Sequence, residues 1–395
     1  MSYAGFLVFL WIACIQLPAF GSVEMDKLSD RAGAFGFRLI QNLEIPERPN
    51  LLISPASVQI GLGMAYAGAT GETADAMSRV LGVSTVSRES ALEEFSALQA
   101  ALEQPDEGIK LKAANAVWVD FSVPLNEEFS SDVAKIFKAK FERLRFSDPE
   151  STRRINEWVS NKTEGKISQL LDGPPSPPMF LADAVYFHAP WANPFPKQAD
   201  REQPFHLADG STSEVTMMNQ NGRFQYAKTP EYQVVFLPYA GNRFGMYCFL
   251  PDRGPDALVA KLRASAWSEL STSLRASQGS VALPRFTVQY DATLNQALIK
   301  LGMGIAFDGR RAQFTKMVNA PDRVFIGAVL HKTFLEVNEE GSTAAAATGI
   351  QMRTTAIIPS REEFNLVFDR PFLVVIADRE SGTILFLGII GDPKS

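Results

Sequence analysis

Apolar positions recur at helical spacing early in the chain and in alternating or continuous runs late in it. Phe35, Leu39, Ile40 and Leu43 fall on one face of a helix, as do Ile155, Trp158 and Val159 within "STRRINEWVS". After about residue 180, runs rich in β-branched and aromatic residues take over. "FLADAVYFH", "VVFLPY", "GMYCFLP", "FTVQY", "FLVVIAD" and "TILFLGII" read as strands, with "DRESG" as the turn between the last two. "YDATLNQALIKLG" reads as an interposed helix, with Asp291 as its N-cap, Leu294, Leu298 and Leu301 on its inner face, and Gly302 at its end. Val58, Ile60, Leu62, Met64 and Tyr66 alternate as a strand would. Helices first and strands later, with some mixing, predict an α+β fold around large sheets. No repeat, low-complexity block or Gly/Ser linker marks a boundary, so one domain is expected.

One stretch breaks the pattern. About 30 residues between Glu339 and Phe368 show no core-forming periodicity, a length uncommon for a loop inside a compact domain unless it is functional. It opens with "EEGSTAAAATG", Glu339 to Gly349. Alanines favour helix, but a helix without a large apolar face has nothing to dock with. At period two, the even positions Ser342, Ala344, Ala346, Thr348, Ile350, Met352 and Thr354 carry no charge and no proline. The odd positions, including Gln351 and Arg353, take the more polar roles. Such a segment suits a loop that later slides between two strands, its small side chains facing a packed interior.

Composition narrows the function. The chain has 395 residues, 46% of them hydrophobic and 21% charged, as in soluble globular proteins. A net charge of -6 without a cluster of Lys and Arg gives no footprint for nucleic acid or heparin-like polyanions. Residues 1–21, "MSYAGFLVFLWIACIQLPAFG", carry no charge and are apolar from Ala4 to Ala13, the profile of a secretory signal cleaved after Gly21. Gln16 and Pro18 interrupt this run short of the roughly 20 apolar residues of a membrane span. The mature chain, 22–395, then keeps a single cysteine, Cys248, in the apolar context of a buried, inert thiol, and no internal disulfide forms. His188, His206 and His331 show no metal-ligand spacing, and "GLGMAYAG" lacks the spacing of a nucleotide loop, so neither metal nor cofactor is expected. Asn161 opens "NKT", a glycosylation sequon.

Six ordered blocks resemble the serpins: "NLLISPASVQIGLGMAYAGATGETADAMSRVLG" at 50–82, "INEWVSNKTEGKISQLL" at 155–171, "LADAVYFHAPWANPF" at 181–195, "LPRFTVQYDATLNQALIKLGMGIAFD" at 283–308, "HKTFLEVNEEGSTAAAATG" at 331–349, and "RPFLVVIADRESGTILFLGIIGDP" at 370–393. The resemblance implies three β-sheets, about nine helices and an exposed reactive-centre loop over about 341–367. It places a buried helix where Val58 to Tyr66 alternate. It implies a secreted, extracellular, monomeric inhibitor that is not an enzyme. A serine protease attacks the loop as substrate, and insertion of the cut loop into the main sheet traps the acyl-enzyme. A non-inhibitory serpin, serving as carrier, storage protein or chaperone, is the alternative.

The resemblance also assigns residues. The hinge runs Glu339, Glu340, Gly341, Ser342, Thr343, Ala344, Ala345, Ala346, Ala347 and Thr348. Inhibitory members carry small residues there, and this chain has no charge, bulk or proline at the inward positions. Counting 17 residues from Glu339 places the scissile bond at Thr355–Ala356, which suits elastase-like or subtilisin-like proteases. A bond at Arg353–Thr354 would suit a trypsin-like one. Trp191, Arg285 and Glu339 correspond to the breach where the loop enters the sheet, with Arg285 and Glu339 an expected ion pair. Ser54, Ser57, Asp183 and His331 correspond to the shutter beneath the opening point, where the family usually has Asn in place of Asp183. Ser54, Asp183 and His331 also have the composition of a hydrolase triad, but Ser54 lies in "LISPAS" and no G-x-S-x-G occurs.

Overall fold

The computed structural model describes residues 22–43, 50–103, 108–175, 177–262, 267, 269, 273–319, 324–342 and 363–394. The expected signal segment and the loop from Thr343 onward, including Thr355, Ala356 and Arg353, lie outside these residues.

Eight α-helices lie among the described residues, where about nine were implied: α1 (Ser22–Asn42), α2 (Pro55–Gly68), α3 (Gly71–Leu81), α4 (Arg88–Glu103), α5 (Glu127–Phe137), α6 (Pro149–Lys162), α7 (Pro255–Lys261) and α8 (Asn295–Leu298). Their starts follow local chemistry. The Asn126 side chain accepts from the amides of Glu128 and Phe129 ahead of α5, and Asp148 accepts from Glu150 ahead of α6, with Pro149 in the first turn. Every residue of α2 is buried. A helix apolar around its whole circumference has no polar stripe to reveal its period, which is why Val58 to Tyr66 mimic a strand.

The strands form two hydrogen-bonded sheets. The six-stranded one runs β10 (Phe286–Thr293), β11 (Ile326–Val337), β4 (Met179–Pro190), β2 (Lys110–Asp120), β3 (Lys140–Leu144), with β12 (Gly341–Ser342) against β4. The nine-stranded one runs β1 (Leu51–Ile53), β15 (Ile384–Ile390), β14 (Phe372–Asp378), β8 (Phe244–Pro251), β7 (Tyr232–Pro238), β6 (Thr212–Lys228), β9 (Arg275–Pro284), β13 (Phe364–Val367), with β5 (Arg201–His206) beside β6. The two smaller sheets implied by the resemblance join here because β6 is 17 residues long. It pairs with β5 and β9 through Thr212–Tyr226 and with β7 through Gln225–Lys228.

Three expectations change. Asp291 is not a cap: β10 continues through it, paired with Lys332 of β11, and α8 begins only after Leu294. The ladder satisfies that backbone, while the Asn295 side chain donates to the Gly327 carbonyl and accepts from the Val329 amide. Leu294 and Leu298 are buried, Leu301 is only partly so, and Gly302 takes φ +109° inside a π turn over Ile299–Met303. Finally, the loop expected over 341–367 is strand at both described ends. Gly341–Ser342 pair with Ala189–Pro190, and Phe364–Val367 pair in parallel with Gly279–Ala282. Leu366 is fully buried, which supplies the core contact that the sequence pattern had not suggested.

The six-stranded sheet is packed on both faces. The α2 side belongs to the main core, and α6 covers the other through Ile155 and Val159. There β2, β4 and β11 present Ala114, Ala116, Ala182, Ala184 and Ala328, a floor of small side chains that lets the helix lie close.

Candidate functional site

The site is a seam. In the six-stranded sheet β11 and β4 are parallel neighbours, paired from Ile326 opposite Met179 to Phe334 opposite Tyr186. Both strands run on past that point, to Val337 and Pro190. Beyond it β12 pairs antiparallel with β4, Gly341 opposite Pro190 and Ser342 opposite Ala189, so the first two residues of the loop already lie in the sheet.

The turn that makes this possible is held from several sides. Asn338 and Gly341 exchange backbone hydrogen bonds, and the Asn338 side chain accepts from the amides of Glu340 and Gly341. Gly341 has φ +148°, a region L side chains rarely adopt. A Cβ there would overlap the Ala189 carbonyl oxygen and fall 2.6 Å from Pro190 Cα and 2.9 Å from the Trp191 nitrogen. Trp191, just after β4, donates its indole N–H to the Asn338 carbonyl at 2.9 Å and its amide to the Glu340 carbonyl at 2.9 Å. Its ring stacks on Tyr239 at 4.6 Å, and the Tyr239 hydroxyl lies 2.8 Å from Ser342 Oγ, both buried.

Arg285 and Glu339 form an ion pair, with Arg285 Nε 2.9 Å from Glu339 Oε1 and Nη2 on the same oxygen. Arg285 Nη2 also lies 3.4 Å from Asp200 Oδ2, and Lys197 Nζ lies 3.2 Å from Glu340 Oε1. Burial pushes the Asp200 carboxyl above its usual range and the neighbouring Glu339 pushes it further. Burial acts on Glu339 in the same sense, but the hydrogen bonds from Arg285 outweigh it and hold Glu339 below the usual range. Asp200, Lys197 and Tyr239 gave no signal in the sequence, because single polar residues in a loop and a Tyr ending a strand are ordinary.

Below this turn, four elements meet at the residues that the resemblance assigns to the shutter. Asp183 of β4 and His331 of β11 are register partners across the seam, with Asp183 Oδ2 3.2 Å from His331 Nδ1. The Ser54 amide donates to His331 Nε2 at 3.1 Å, while His331 Nδ1 and Asp183 Oδ2 are buried and make no hydrogen bond. The Ser57 hydroxyl of α2 lies 2.7 Å from Asp183 Oδ1 and 2.9 Å from Asn115 Oδ1 of β2. All of these residues are buried. Ser54 meets the ring through its amide rather than its hydroxyl, which removes the hydrolase-triad reading. Asn115 was missed because polar residues inside strands are not distinctive in sequence.

Elsewhere, burial pushes the Cys248 thiol far up, as an inert core thiol requires. Asn161 is exposed near the end of α6. Among the described residues no group of three or more His, Cys, Asp or Glu could hold a metal ion, and no helix is long and apolar enough to cross a membrane.

A family model described as Serpin (serine protease inhibitor) matches residues 30–393. The chain is 34% identical over 350 residues to an uncharacterized serpin-like protein of Thermococcus kodakarensis, covering 87% of this chain and 81% of that one. It is 32% identical to the human leukocyte elastase inhibitor, covering 93% of this chain and all of the relative. Among solved structures, the native state of the thermophilic serpin tengpin superposes with a TM-score of 0.84 at 28% identity, over 92% of this chain and 94% of that one. Human thyroxine-binding globulin complexed with thyroxine superposes at 0.85 and 23% identity, over 94% of this chain and all of the other, a likeness of fold alone. Since the matching family model spans nearly the whole chain, and the seam, breach and shutter lie within its bounds, the chain belongs to the serpin family.

Proposed function

We propose that the chain is an exported suicide-substrate inhibitor of serine proteases. A target protease cuts the loop after Thr355 and is trapped as the acyl-enzyme while the freed segment enters the seam between β4 and β11. The observation that carries this reading is the pairing of Gly341 and Ser342 with β4 at the head of a parallel seam. Continuing that register one residue at a time brings Ala344 opposite Phe187, Ala346 opposite Val185 and Thr348 opposite Asp183. Met352 would meet Met179, so Gly341 to Met352 would run the full length of β4. Small side chains at the even positions are what a strand entering a packed interior needs. Export is supported by the uncharged, apolar start of the chain, and the elastase-like or subtilisin-like target by the small Thr355–Ala356 pair.

The test is incubation with pancreatic elastase, subtilisin and trypsin, read on a denaturing gel and by mass spectrometry of the released C-terminal peptide. A complex that survives denaturation is expected. A peptide beginning at Ala356 assigns the bond as proposed, and one beginning at Thr354 moves it to Arg353 and a trypsin-like target. Cleavage by all three without any complex would overturn inhibition of these classes. Ala346→Pro removes an amide from the inserted strand, so this variant should be cut without trapping.

A further inference from the structure

The breach holds two carboxylates on one guanidinium. Asp200 and Glu339 both reach Arg285. Asp200 Oδ1 is buried and receives no hydrogen bond, while Asp200 Oδ2 and Glu339 Oε1 meet on the same nitrogen, Arg285 Nη2. A buried acceptor without a donor, beside a second carboxylate, is a place for a proton.

The other charged groups facing Asp200 among the described residues do not remove the conflict. Lys197, on the 3-10 turn Lys197–Ala199, is held by Glu340. Arg201 directs its guanidinium to the carbonyls of Gln198 and Asp200. Arg285 is about half exposed and aligned on Glu339 through two of its nitrogens.

We infer that Asp200 and Glu339 share one proton in acid, and that gaining it docks the hinge turn so that Gly341 and Ser342 stay paired with β4. With the proton, Asp200 donates to Glu339 and the turn gains a tether. Without it, two carboxylates repel across the turn and Arg285 neutralises only one of them. The sign follows from linkage. Asp200 is raised when the turn is docked and returns toward its ordinary value when Glu339 leaves. Docking is therefore favoured below the raised value and weakened as the pH rises through it. Glu339 is lowered and stays ionised through that window, so the pair holds one proton rather than two. Resting on the inhibitory reading, the consequence is a bait loop two residues shorter in acid, and slower capture of protease there.

The experiment is hydrogen exchange on the full uncleaved chain, following the peptide that contains Asn338–Ser342 at about pH 4.5 and about pH 7.5, corrected for intrinsic exchange. Exchange in acid is expected to be about tenfold slower in the wild type. In Asp200→Asn the amide donates to Glu339 at every pH, so slow exchange at both values is expected. A wild-type change below about twofold, or an Asp200→Asn variant with the wild-type pH response, overturns the inference. A parallel change in peptides from β2 would show global opening and overturn it as well. No protease enters this measurement, so a chain that failed to trap any target would still report its hinge titration.

Discussion

Replacing Gly341 by alanine tests whether the docked hinge is what loop insertion starts from. The substitution adds one methyl group where φ is +148° and where the nearest atoms are the Ala189 carbonyl oxygen, Pro190 Cα and the Trp191 nitrogen. The backbone conformation alone costs a non-glycine residue about 1–3 kcal/mol. That corresponds to about 5- to 150-fold in the docking equilibrium. The overlap adds to this, because all three neighbours are backbone atoms of β4 and its continuation and none can rotate away. Gly341→Ala should therefore free the Ser342 amide to exchange faster by at least about fivefold, while peptides from β2 and β14 keep their protection. Against a protease that the wild type traps, the variant should be cut more often per complex formed, because insertion now begins from an undocked turn. Wild-type exchange at Ser342 together with a wild-type ratio of cleavage to trapping would refute the reasoning.

The shutter and the breach make further predictions. Asp183→Ala leaves the Ser57 hydroxyl without one of its acceptors and opens a buried gap beside His331, and should cost about 2–4 kcal/mol in urea unfolding at pH 7. Asp183→Asn should be neutral or stabilising by about 1 kcal/mol: the amide donates to Ser57, which frees the Ser57 hydroxyl for Asn115, and a buried charge is removed. A loss above about 1 kcal/mol in that variant would show that the charge itself is needed. Glu339→Gln removes the charge-assisted bonds from Arg285 and should cost about 1–2 kcal/mol, a figure kept low because Arg285 is half exposed. Unchanged stability would mean that the backbone bonds of Trp191 and Asn338 hold the turn alone.

Legibility from sequence followed the uniqueness of each pattern. Strands β4, β7, β8, β14 and β15 were readable because each is a continuous β-branched and aromatic run between turn signals. Helix α2 was not readable from its period, since burial on every side erases the contrast that periodicity needs. Asp291 looked like a cap because Asp before an apolar helical pattern is normally one, and only the ladder to β11 overrides it. At the site, Arg285 and Glu339 could be matched through family motifs. The turn that docks Gly341 could not, because it depends on Asn338, Trp191 and Tyr239, which lie on three separate segments and converge only in the folded sheet. The same holds for Asp200, which becomes chemically unusual only through burial beside Glu339.

On the proposed mechanism, the seam has pairing to gain and contacts to lose. A strand that follows β11 through a tight turn would be antiparallel to β11 and to β4 alike, so its entry would exchange one parallel ladder for two antiparallel ones, the slightly stronger pairing per residue. What resists entry sits just below Ser342. Tyr186 and Phe334, the last partners of the parallel ladder, meet at 6.1 Å and close the mouth of the seam, and Lys166, just beyond α6, lies over both rings at 5.9 and 5.2 Å. Next comes the buried cluster of Asp183, His331, Ser57 and Ser54, which ties β4 and β11 to α2 and its leading residue. On the opposite face α6 and the segment that follows it cover the alanine floor of β2, β4 and β11 through Ile155, Val159, Ile167, Leu170 and Leu171. The resistance is therefore local and sequential: an aromatic pair, then a polar cluster, under one helix. On the proposed mechanism, a strand entering below Ser342 would have to part these contacts one after another.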